Sequence, residues 1–158
     1  MKSPAIKVHI TDTQESLKFT KSSLKKLVQE IIRFENQSCH EVTLHLISDK
    51  QMRQLHADYF DDPSPTDCIS FPLDGPEEIH YRILGEVFVC PDTAIEFVKK
   101  SGGNAEIETA LYIIHGLLHL MGYDDIKPTD RALMRAAEKK HLDNLSVLDL
   151  YLKLTTKR

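Results

Sequence analysis

Apolar and polar residues alternate with a period of two at Ile6, Val8 and Ile10 against Lys7 and His9, and again at Val42, Leu44 and Leu46 against Thr43 and His45. That is the pattern of half-buried strands. Between them Leu17, Leu24, Leu27, Val28 and Ile31 recur at helical spacing and predict an amphipathic helix from about Leu17 to Phe34. Ser48-Asp49 opens the next helix, over Lys50 to Tyr59. The turn formers Asp61-Asp62-Pro63-Ser64-Pro65 then lead into an extended stretch from Thr66 to Pro72. Pro72 puts that stretch at a sheet edge or a strand end, because proline cannot donate to the ladder. A polar connection, Asp74 to Arg82, precedes a further strand from Ile83 to Cys90.

The pattern then turns helical. Pro91 and Asp92 open a helix that Ser101-Gly102-Gly103 stops, and Asn104 caps the following one, with Glu106 and Glu108 near its positive end. Pro128-Thr129-Asp130 starts an amphipathic helix to about His141, and Ser146 to Leu154 reads as a separate short helix. Strands in the first half and helices in the second predict an α+β fold, a small mixed β-sheet covered by helices, with the 158 residues forming one domain.

The helix after Asn104 carries the candidate chemistry. From Ala110 to Met121 it is apolar almost all round, the mark of a buried helix, yet it contains His115 and His119. Four residues apart, the two imidazoles share one face, about 6 Å apart along the axis. Burying both without partners is costly, and a metal ion satisfies both at once. Gly122 can stop the helix in a left-handed conformation and turn the chain back, bringing Asp125 within reach. Three protein ligands with a fourth position for water is the arrangement of a catalytic zinc site, here at the end of a buried central helix, as in the zincin-like motif. A bound water there has its pKa lowered toward roughly 7.

Composition narrows the partners. A hydrophobic fraction of 41% and a charged fraction of 28% are those of a globular protein. No apolar run reaches membrane-spanning length, and Met1 to Thr13 has no signal-peptide core, so a cytoplasmic protein is expected, with no membrane partner. Cys39, Cys68 and Cys90 have no CxxC spacing and are expected to be reduced and free of metal. A net charge of −4 gives no global attraction to nucleic acid. Lys18, Lys21, Lys25 and Lys26 form one basic face, which a solvated helix surface explains equally well.

Beyond spacing, His115-Gly116-Leu117-Leu118-His119-Leu120-Met121-Gly122-Tyr123-Asp124 resembles the signature of the YbeY family, bacterial metal-dependent endoribonucleases of ribosomal RNA maturation. Upstream, Pro65-Thr66-Asp67-Cys68-Ile69-Ser70-Phe71-Pro72 is similar to the segment before that family's third strand, and Leu84-Gly85-Glu86-Val87 to a piece of its next strand. The resemblance implies an endoribonuclease acting on single-stranded rRNA precursor ends and in ribosome quality control, with the ribosome or its small subunit as partner and no DNA. Two departures stand out. The family usually ends its signature in a third histidine where this chain has Asp125, and it commonly has an arginine where this chain has Phe60 after Tyr59. A carboxylate is an acceptable zinc ligand, so one Zn2+ is expected on His115, His119 and Asp125, although two histidines and a carboxylate also suit Fe(II) and other first-row metals. Asp124 is the nearest substitute should Asp125 point away.

Glu86, Asp67 and Asp124 are the candidate acid or base groups, with a cap, a turn or a bond to a ligand histidine as the structural alternative. Thr66, Ser70 and Phe71 are candidates to line a substrate groove, Phe71 by stacking on a base or by packing into the core. His9, His40, His45, His56, His80 and His141 stand singly and read as surface or capping residues. Three other functions compete with RNA cleavage. Zinc peptidases of similar spacing need a glutamate after the first histidine, and this chain has Gly116. A ribosome-associated binding factor would use its metal only for folding. An Fe(II) oxygenase would need a cosubstrate site that nothing in the chain suggests.

Overall fold

The computed structural model describes residues 5–150. Four strands, β1 (Lys7–Asp12), β2 (Glu41–Leu46), β3 (Cys68–Pro72) and β4 (Ile83–Val89), form one sheet in the order β1-β2-β4-β3. β1, β2 and β4 run parallel and β3 pairs antiparallel with β4. The sheet is therefore mixed, with β3 an edge strand whose last residue is Pro72, where a missing N–H costs no ladder bond.

Helices α1 (Lys21–Phe34), α4 (Ala105–Leu120) and α5 (Pro128–Val147) pack together over one side of the sheet. Their contact with it is the main core, which includes Leu24, Leu27, Ile31, Leu44, Leu84, Val87, Ile113 and Leu117. A smaller cluster of Ile47, Met52, Ile69 and Cys90 seats α2 (Asp49–Phe60) near the other side. α3 (Pro91–Ser101) follows β4 directly and leans on α4. The three cysteines are free thiols.

Two helix boundaries differ from the sequence pattern. α1 begins at Lys21, capped by the Thr20 hydroxyl, because the buried Gln14 amide ties Ser16 and Leu17 into a loop before it. Lys18 therefore lies outside the helix, and the exposed Lys21, Lys25 and Lys26 form a solvated face. α5 does not stop near His141. Its buried stripe continues through Met134, Ala137, Glu138, His141 and Leu145, so one helix runs to Val147. The separate tail helix expected from Ser146 falls partly outside the described residues.

The site is positioned by a close approach of α4 to the sheet. A Cβ on Gly116 would lie 2.5 Å from Val87 Cγ1 and 2.7 Å from Cys68 Sγ. The Ser70 hydroxyl donates to the Gly116 carbonyl at 3.0 Å, pinning β3 to the helix at the same level. Between Thr109 and Leu120 every residue is buried except Leu111, His115 and His119, which form one ridge at helical spacing on the side turned away from the sheet contact. Gly116→Ala is expected to lower stability by roughly 1–3 kcal/mol through overpacking. Urea unfolding of the variant beside the wild type measures it.

Candidate metal centre

The ridge ends at a turn that brings a third donor back to it. After Leu120 the Gly122 N–H bonds the His119 carbonyl and the Tyr123 N–H bonds the Leu118 carbonyl, with Gly122 at φ 106°. This is a Schellman stop, and its left-handed residue is one that only glycine occupies without strain. The Asp124 carboxylate then accepts the Asp125 N–H at 2.7 Å, a local turn that aims Asp125 at the histidines. Asp125 Oδ2 lies 3.4 Å from His115 Nε2 and 3.5 Å from His119 Nε2, and the two Nε2 atoms are 3.1 Å apart.

Proton positions decide what this triangle is. His115 Nδ1 lies 2.7 Å from Glu138 Oε2, and His119 Nδ1 lies 3.0 Å from the Tyr123 carbonyl. Both partners only accept, so both Nδ1 atoms donate, and each ring turns its Nε2 to the triangle. Two Nε2 atoms and a carboxylate oxygen brought this close suit a cation placed among them. Tetrahedral zinc with bonds of 2.0–2.1 Å separates its ligands by about 3.3 Å, close to the three spacings found here. The side chains of His115, His119 and Asp125 are 20%, 27% and 31% exposed, so the triangle is walled on one side and open on the other. The donor set thus fits a divalent ion with an unfilled position.

Glu138 and Glu35, which sequence reasoning did not single out, hold the rings in place. Glu138 is 4% exposed and bonds both His115 and the Arg135 guanidinium. Burial pushes its carboxyl up, but the hydrogen bonds from His115 and Arg135 and the charge of Arg135 outweigh that and hold it below the usual carboxylate range. Glu35 accepts from the Tyr123 hydroxyl at 2.9 Å and from His141 Nε2 at 2.7 Å, which fixes the residue whose carbonyl orients His119. His141 is fully buried, a correction to its reading as a surface residue. His45 is likewise no surface residue, being stacked on Phe88 and bonded to Glu86.

The other site candidates separate clearly. Thr66 and Ser70 line a cavity of about 430 Å³ together with the triad, His56 and Phe60. Phe71 does not line it, since its ring packs edge-on against Tyr59 and Phe88. Glu86 is not brought to the triad either. It pairs in register with Phe71 and bonds His45, while its neighbour Val87 faces Gly116, so Glu86 points to the opposite side of the sheet from α4. Asp67 is exposed before β3 and does not line the cavity, though its charge helps raise the Glu108 carboxyl, which burial chiefly pushes up. Asp124 serves the turn and borders a different surface depression, with Asp130 and Leu133. Gly116 fills the position where a peptidase carries its base, and it faces the sheet rather than the cavity.

The chain is similar to known proteins over most of its length. A family model described as endoribonuclease YbeY matches residues 9–146. An endoribonuclease YbeY of Protochlamydia amoebophila is 46% identical over 146 residues, covering 92% of this chain and 97% of the relative. That of Chlamydia felis is 36% identical over 90% and 92% of the two chains. Among solved structures, the solution structure of TM1509 from Thermotoga maritima superposes with a TM-score of 0.63 at 26% identity, covering 87% of this chain and 88% of that one.

Because Glu138 sets the tautomer and orientation of His115, Glu138→Gln is expected to weaken divalent-metal affinity by roughly 10- to 100-fold. Competition with a chromophoric chelator measures the affinity, and the thermal midpoint of the metal-free protein shows that the variant is folded.

Proposed function

The chain belongs to the endoribonuclease YbeY family, and on that premise we propose that it cuts single-stranded RNA at the His115, His119, Asp125 triangle, in rRNA 3′-end maturation and ribosome quality control. It is a nuclease, and so a hydrolase. What supports placing the reaction here is the convergence of three potential ligand atoms on the wall of an open cavity. We take the ion to be one Zn2+. His115, His119 and Asp125 would hold the ion, which would supply Lewis acidity and an activated water there.

The remaining work falls to the protein. Glu138 and the Tyr123 carbonyl engage Nδ1 of the two imidazoles, so Nε2 is the nitrogen each ring turns to the ion. The ring of Phe60, 56% exposed at the cavity, offers a face on which an unpaired base can stack. The Thr66 side chain sits on the same wall, while the Ser70 hydroxyl is already committed to the Gly116 carbonyl. Substrate reaches the triangle from the open side, as a single strand. The proposed setting is the cytoplasm, with the small ribosomal subunit as partner; no helix among the described residues is long and apolar enough to cross a membrane.

Two other readings fare less well. Peptide cleavage would need a base where Gly116 packs against Val87, and no side chain fits there. A binding factor with a purely structural metal has no use for a site left open on one side.

The zinc-loaded protein is expected to cut a labelled single-stranded RNA and leave a DNA of the same sequence intact. Chelator should abolish cleavage, added zinc should restore it, and a His115→Ala/His119→Ala double variant shown to be folded should be inert. Equal cleavage by the variant would assign the activity to a contaminant and sink the proposal.

A further inference from the structure

Apart from the triad, the cavity wall holds hydroxyl, thiol and apolar side chains and one more imidazole, that of His56 on α2. No lysine or arginine lines it. The Cys68 thiol is pushed up by burial and stays neutral. His56 is thus the one wall residue outside the triad that can carry positive charge toward a phosphate.

Its surroundings suit that role. His56 Nδ1 lies 2.9 Å from the Ser64 carbonyl, which can only accept, so Nδ1 holds a proton and the ring is fixed in orientation. The opposite nitrogen, Nε2, has Asp62 Oδ2 at 3.9 Å, beyond hydrogen-bond range, which leaves that nitrogen available on the cavity wall. Hydrogen bonds from Ser64 hold the Asp62 carboxyl below the usual range, with the charge of His56 adding to the effect, so Asp62 is an anion. Asp62 is itself held by the Ser64 N–H at 2.9 Å. One helical turn on, the Phe60 ring lies 5.7 Å from the His56 ring, so an imidazole and an exposed aromatic face stand side by side on the wall.

We propose that His56 is a catalytic residue of this site, its Nε2–H donating a hydrogen bond to a non-bridging oxygen of the phosphate that the triangle addresses. A phosphodiester has two such oxygens and one charge. With one oxygen turned to the triangle, the other needs a donor, and His56 is the wall residue with a ring nitrogen left to provide one. The proposal rests on the RNA-cleavage reading of the triangle.

Three variants of the zinc-loaded protein test it against a labelled single-stranded RNA, with cleavage, RNA affinity by anisotropy, metal affinity by chelator competition and thermal midpoint all measured. His56→Ala should lose about 10- to 100-fold in kcat/KM and bind RNA more weakly, the worth of one hydrogen bond to a charged group. Its metal affinity and midpoint should stay at wild-type values. His56→Arg, which restores a cationic donor, should recover most of the loss, and His56→Phe should not. The proposal falls if His56→Ala cuts and binds as the wild type does, or if its loss is matched by weaker metal binding. If the wild type itself does not cut, the cleavage reading has failed, and the role of His56 toward phosphate stands or falls on the RNA affinities alone.

Discussion

The contact of α4 with the β3–β4 edge of the sheet at Gly116 governs everything built above it. A helix backbone reaches a sheet this closely only where no Cβ intervenes, and Val87 and Cys68 fill the space that a side chain would take. The closeness fixes the rotation of α4 about its own axis. With Gly116 turned to the sheet, His115 and His119 project along a ridge beside β3, and the cavity between β3 and the end of α2 opens onto them. A rotation by one residue would bury both imidazoles against Leu84 and Val87 or turn them toward solvent without Asp125.

Holding two histidines in a mostly apolar helix carries a cost that the surrounding carboxylates offset. Glu138 and Glu35 are each reached by two donors from different parts of the chain, so neither is an unpaired buried charge. α5 supplies Glu138, Arg135 and His141 within two turns, and α1 supplies Glu35 at its end. The covering helices are thus part of the site, since they determine which nitrogen of each ring faces inward. His141 Nδ1 is the exception, buried with no protein partner. It marks the one place where this network is incomplete within the protein.

Much of the triangle was legible in the chain because it rests on local rules. The i, i+4 spacing, the glycine stop and the carboxylate after it are all contained in the eleven residues from His115 to Asp125, and periodicity decides which face they share. The sheet was legible for the same reason, apart from the end residues of its strands. Periodicity does not say what lies opposite a face. Glu35 meets Tyr123 and His141 across 88 and 106 residues, and no local pattern points from one to the other. Glu138 sits in a helix rich in charged residues, where a carboxylate normally faces water. The reverse error has the same origin. Glu86 and Phe71 lie in matching motifs, but strand alternation sends both to the far side of the sheet, and the alternation could be assigned a direction only once Val87 was seen against Gly116.

The carboxylate of the triangle sets the charge that a bound ion would keep. Held by two imidazoles and the Asp125 carboxylate, a divalent ion would keep a net charge near +1, whereas three imidazoles would leave it at +2. A cavity with no lysine or arginine, in a protein of net charge −4, then has little with which to hold a polyanion. Attraction would come from the ion and, in its proposed role, from His56, whose ring is partly exposed with the Asp62 carboxylate beside it. Exposed aromatic surface at Phe60 adds affinity that does not depend on charge. In the proposed function a flexible single strand suits such a site, because it can bring one phosphate into the cavity and lay an unpaired base against a ring, which a stacked duplex cannot do.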